Sequence, residues 1–256
     1  MKNKGLLVLI IFLLFLIGCS GNKSKTDTDI QARYEKGIVY FDKKKYLRAQ
    51  EEFNYVALSG SHTDYGDDAL FYLGESYFLN EEYILARSEF DRLVRRMGFS
   101  PFLEQARWRI CECYVKESPK YYHDQTNTDK ALEKLQEFIE DFPGSDYREQ
   151  AEETLISLRD KLGEKAYETG ILYIKLGAYD SAILAFEQVL EKYYDTPYFE
   201  SAHVGIIHSH CLALELEKAQ VYYEEASSII TDNTLHSKVE GYIANAEKKL
   251  ARQDKE

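Results

Sequence analysis

ALFYLGESYFLNEEYILARSEFDRL, residues 69–93, reads as two amphipathic helices joined by a polar turn near Asn80. Ala69, Gly74 and Ala86 sit among the larger Leu73, Tyr77, Tyr83, Phe90 and Leu93. Two closely packed antiparallel helices need that mixture: small residues where backbones approach, aromatic rings in the gaps around them. One such hairpin cannot bury its own apolar faces, so neighbours must stack on it.

The neighbours are visible as self-similarity. Gly37, Tyr40, Tyr46, Ala49 and Phe53 recur 37 residues later as Gly74, Tyr77, Tyr83, Ala86 and Phe90. Ala69 and Tyr77 recur as Ala106 and Tyr114. Gly170, Tyr173, Ala182 and Phe186 keep the internal spacing, and Ala182 and Phe186 recur as Ala219 and Tyr223. A fixed period with small and aromatic residues at fixed phases marks a helical solenoid. The pattern resembles the tetratricopeptide repeat (TPR), lengthened to 37 residues. The expected fold is all-α: a solenoid of five TPR-like hairpins at about 30–58, 67–97, 102–142, 164–193 and 198–230, closed by a capping helix at 234–253.

The composition agrees. Among 256 residues there are 4 Pro, 14 Gly and 21 Tyr, and the net charge is −12. That balance argues against nucleic acid or an anionic lipid surface as the main partner, because both select clustered Lys and Arg.

Residues 1–18 read as a signal peptide. Lys2 and Lys4 precede an uncharged apolar run of 13 residues, Leu6 to Gly18. This is too short to span a bilayer and suits a signal-peptide core. The run ends Leu16-Ile17-Gly18-Cys19-Ser20, which resembles a bacterial lipobox. The resemblance implies a thioether-linked diacylglycerol on Cys19 and a membrane-held mature chain. An ordinary signal peptide ahead of a chance Cys is the plainer alternative. Residues 19–29 are polar and aperiodic and read as a flexible tether.

The third repeat is interrupted. Its second helix places Ala at Ala131, not at 123, an insertion of 8 residues within Glu117–Thr128. A polar, Tyr-rich insertion is either a functional loop or a tolerated bulge. Thr128 is the expected cap of the following helix. A separate helix, Tyr147 to Leu162, is expected before repeat four.

Nothing reads as an active site, a cofactor site or a metal site. No phosphate loop or nucleophile motif is present. Cys111 and Cys113 stand two apart on a helix, and His203, His208 and His210 lack ligand spacing. The informative feature is an aromatic stripe. In TPR hairpins the first helix lines the concave groove, and its fifth positions here are Tyr34, Phe71, Trp108 and Tyr167, with Phe41 and Phe78 at the twelfth. These six line a groove for a peptide, or pack between neighbouring repeats.

His123-Asp124-Gln125-Thr126, Phe142-Pro143-Gly144-Ser145-Asp146-Tyr147 and Gly177-Ala178-Tyr179 through Tyr194-Asp195-Thr196, together with the lipobox, resemble the BamD-type lipoproteins of the outer-membrane β-barrel assembly machine. The resemblance implies a non-catalytic scaffold, lipid-anchored to the outer membrane and facing the periplasm. It implies that the C-terminal repeats dock a BamA-type barrel protein, with Tyr179, Glu187 and Tyr198 on that surface. It also implies that the N-terminal groove receives C-terminal peptides of unfolded outer-membrane proteins. The family's usual Arg in repeat four is replaced by Ala185. Without that resemblance, the repeats also suit another periplasmic TPR lipoprotein coordinating envelope or cell-wall complexes.

Overall fold

The computed structural model describes residues 25–253. The expected signal peptide, Cys19 and the first part of the expected tether lie outside them. The described residues are all-α, with eleven helices: α1 (Lys25–Asp42), α2 (Tyr46–Ser59), α3 (Gly66–Leu79), α4 (Tyr83–Arg96), α5 (Leu103–Glu117), α6 (Thr126–Asp141), α7 (Arg148–Lys175), α8 (Tyr179–Lys192), α9 (Phe199–Leu212), α10 (Leu216–Ala226) and α11 (Asn233–Gln253). They form two compact units, one up to Arg107 and one from Trp108.

In the first unit α1 pairs with α2, α2 with α3 and α3 with α4. Phe41 meets Tyr46 across the first turn while Gly37 faces Phe53, so α1 and α2 run antiparallel. Phe78 to Tyr83 and Gly74 to Phe90 repeat the arrangement in α3 and α4. Ala49, Phe53, Ala86 and Phe90 are fully buried. The glycine phase has a direct cause: a Cβ on Gly74 would stand 2.6 Å from the Phe90 ring, closer than any real contact. The glycine lets the helices close on the aromatic wedge.

The hairpin turns use one device four times. Lys45 N donates to Tyr40 O at 2.8 Å, Glu82 N to Tyr77 O at 2.9 Å, Ala178 N to Tyr173 O at 3.0 Å and Glu215 N to His210 O at 2.9 Å. This six-to-one bond closes a helix C-terminus only if the residue before it is left-handed. Lys44 (φ 56°), Glu81 (φ 63°), Gly177 (φ 73°) and Leu214 (φ 61°) hold that place, so three side chains sit where glycine is favoured.

In the second unit three successive cores form. Trp108, Cys111, Ala131, Leu135 and Phe138 make the first; Ala166, Ala182, Phe186 and Ile206 the second; Ile207, Ala219, Ala226, Val239 and Ala246 the third. The capping helix α11 packs on α9 and α10.

Three local expectations are corrected. Residues 25–29 belong to α1 and not to the tether: Ile30 is buried and Asp29 accepts from Tyr55 Oη at 2.9 Å, which draws the first turn into the unit. No break separates a linking helix from repeat four, because α7 runs unbroken for 28 residues. Gly163 is there for close approach, since its Cβ would meet Thr196 Oγ1 at 2.8 Å. Thr128 lies inside α6, buried, donating to Gln125 Oε1 at 2.7 Å, and the helix starts at Thr126, whose N–H is held by Asp124.

Candidate peptide-binding and docking surfaces

The stripe divides between core and surface. In the first unit Phe71 is 9% exposed and stacks on Phe102 at 4.4 Å, with Phe90 behind it. In the second unit Trp108 is 4% exposed and stacks on Tyr147 at 5.4 Å, against Phe138. Both rings are therefore packing residues rather than open groove walls; each is covered by an aromatic ring from the segment leading into the next helix. Tyr34, Phe41, Phe78 and Tyr167 stay half-buried.

Tyr34 and Phe41 are seven residues apart, hence on one face of α1. Tyr72 of α3 inserts between them, 6.4 Å from Tyr34 and 5.4 Å from Phe41, and stacks on Phe53 at 5.6 Å. Tyr65 adds a fourth ring at 5.0 Å from Tyr34. The result is a continuous, half-exposed aromatic face on α1 and α3. Tyr34 Oη donates to Asp68 Oδ1 at 3.4 Å, and burial with that carboxylate pushes the phenol well above its ordinary range. Burial and neighbouring Asp67 raise Asp68 in turn. Tyr72 escaped the sequence reading because Glu35 and Arg109 occupy its phase in the adjacent repeats. Phe78 meets Tyr83 edge-on at 5.4 Å.

In the second unit Tyr167 packs on Phe186 at 5.5 Å and on Tyr198 at 5.6 Å. Tyr198 thus joins the Tyr167 cluster. Tyr179 is half-buried and Glu187 exposed, both on α8. Glu187 lies close enough to Tyr222 to help raise its phenol, a shift led by burial, to about 12. Ala185 is only 8% exposed. The exposed side chains of α8 and α10 include the apolar Leu184 and Val221.

The insertion is an ordered loop. Buried Gln125 donates through Nε2 to Lys120 O at 2.9 Å, His123 O at 3.0 Å and Tyr121 O at 3.2 Å, so its side chain acts as the hub of the loop. Lys161 Nζ donates to Ser118 Oγ and, at 3.1 Å, to Pro119 O, and Lys165 Nζ to His123 O at 2.7 Å. Tyr122 stands 60% exposed at the tip.

Cys111, Cys113 and Cys211 are buried free thiols, and burial pushes Cys211 up to about 11, away from the reactive thiolate. Among the described residues no group of three His, Cys, Asp or Glu side chains is arranged to hold a metal. Among the same residues no helix is long and apolar enough to cross a membrane.

The chain is similar to an outer membrane protein assembly factor BamD of Rickettsia prowazekii, 26% identical over 249 residues covering 94% of this chain and 95% of that protein. It is similar to a second BamD, of Caulobacter vibrioides, at 21% identity covering 93% and 86%. Among solved structures, the TPR2AB-domain:pHSP90 complex of yeast Sti1 aligns over 86% of this chain and 84% of its own at 16% identity with a TM-score of 0.42. The family model described as YfiO, outer membrane lipoprotein, matches residues 26–225. The chain belongs to that family of outer membrane lipoproteins.

Proposed function

We propose that this protein is a non-catalytic scaffold in outer-membrane protein assembly, held on the periplasmic side of the outer membrane by acylated Cys19. The observation that carries the reading is the family match, together with two outer membrane protein assembly factors aligned over nearly their whole lengths. The half-exposed aromatic face of Tyr34, Phe41 and Tyr72 suits the last side chains of an unfolded barrel protein's C-terminal peptide, with Phe78 of the same unit as a further contact. Phe71 supports that face from within, meeting Tyr72 at 5.7 Å.

The α8–α10 surface, with Tyr179, Glu187 and Tyr198, docks the BamA-type barrel subunit. Ala185 offers a buried methyl group where the family's usual Arg would stand, so this contact is apolar in character and rests on Leu184 and Val221. Gentle detergent extraction of envelopes followed by capture of the tagged lipoprotein should bring down a large β-barrel with periplasmic domains in stoichiometric amount. Recovery of cell-wall or other envelope complexes instead would refute the reading and favour a different periplasmic TPR lipoprotein.

A further inference from the structure

The first unit has one edge at which its termini and long turns gather. Asp29 at the start of α1 accepts from Tyr55 near the end of α2. Arg92 near the end of α4 donates to Ala57 O at 3.0 Å, and Ser100 in the turn after α4 donates to Asp67 at the start of α3 at 2.8 Å. The start of α1, the end of α2, the start of α3 and the end of α4 therefore share that edge. It presents two apolar side chains to solvent: Leu58 is 66% exposed and Phe99 fully exposed at the tip of its turn. Arg95 and Arg96, both exposed, lie in the last turn of α4, four and three residues before Phe99. Asp29 and Asp67 are engaged in the hydrogen bonds just described, while Asp64 stands exposed.

The edge also lies next to the N-terminal tether. From Cys19 to Lys25, where α1 begins, the chain spans at most about 20 Å even when fully extended. We propose that this edge rests on the membrane, with Phe99 sunk among the headgroups of an anionic phospholipid leaflet and Arg95 and Arg96 on their phosphates. The inference rests on the lipid-anchor reading and deepens it: a tether this short brings the edge to the surface, and the edge carries an aromatic wedge and paired cations suited to it. The net negative charge of the whole chain does not oppose this, because attraction to lipid phosphates acts within about a Debye length of the surface.

The test uses the full mature chain with acylated Cys19 in vesicles of phosphatidylethanolamine and phosphatidylglycerol whose acyl chains are brominated near the headgroup. The native Trp108 is buried and serves as background. The Phe99→Trp variant should lose about half or more of its added emission, as expected for a ring sunk about 5–10 Å into the headgroup boundary. A Leu47→Trp variant, at the opposite end of α2, should lose none. In a Phe99→Trp, Arg95→Glu, Arg96→Glu variant the quenching should fall on phosphatidylglycerol vesicles. Protein that floats with the vesicles while the Phe99→Trp emission is unquenched overturns the inference and leaves the anchor standing. Protein that fails to float overturns the anchor reading and the inference with it.

Discussion

Phe186 is clamped between two glycines, and replacing one of them tests how the repeats close. A Cβ on Gly170 of α7 would lie 2.5 Å from Phe186 Cε1, and one on Gly205 of α9 would lie 2.6 Å from the opposite side of the same ring. An ordinary contact needs about 1 Å more. The ring cannot retreat from α7, because the backbone of α9 stands behind it. Gly170→Ala should therefore cost about 3 kcal/mol in overpacking. Alanine's better helix propensity offsets about 1 kcal/mol, leaving a net loss of about 2 kcal/mol. Gly241 of α11 is the control: it is helical, nothing lies within 4 Å of its Cβ position, and Gly241→Ala should gain about 1 kcal/mol. Urea unfolding followed by circular dichroism at 222 nm reads both. Adding Phe186→Leu to Gly170→Ala should recover part of the loss, giving a coupling of about 1–2 kcal/mol. A neutral Gly170→Ala, or the absence of coupling to Phe186→Leu, would refute the clamp.

The remaining predictions concern turns, titration and the inserted loop. Glu81→Gly and Lys44→Gly should each raise stability by about 1 kcal/mol, by relieving a left-handed side chain at an exposed turn, and thermal melts would show it. His203 bonds Tyr222 through Nδ1, while its buried Nε2 has no partner, and burial holds its pKa below the ordinary value. Burial and nearby Lys249 lower His208 likewise. Both bind protons more readily when unfolded, so their contribution is complete above about pH 6.5 and is lost as pH falls below it, by at most about 1.4 kcal/mol per pH unit for each group. His203→Gln should flatten the urea midpoint between pH 7.5 and pH 5.5 relative to the native chain. Gln125→Ala removes the hub of three carbonyl contacts and should speed hydrogen exchange across residues 118–125 while α7 and α8 keep their protection.

The 37-residue period, the helical class and the small–aromatic phases were legible in the sequence because each hairpin meets its neighbour through the same few contacts. Gly37, Gly74 and Gly170 announce close approach, and Phe53, Phe90 and Phe186 announce the wedge, before any coordinates are known. The Tyr residues at the turn carbonyls and the insertion ahead of Ala131 were legible for the same reason. Other features had no such signal. The period says which face of a helix turns inward but not how closely the following segment covers it, so Phe71 and Trp108 became core only because Phe102 and Tyr147 lie over them. Tyr72 joined the aromatic face of α1 from a phase that holds charged residues elsewhere. Gly163 read as a boundary, yet α7 continues through it, because Thr196 of a distant turn fills the space a side chain would need. Repetition along the chain determined the fold class and its register; how deeply each ring is buried was decided by contacts between residues far apart in sequence, which no local pattern records.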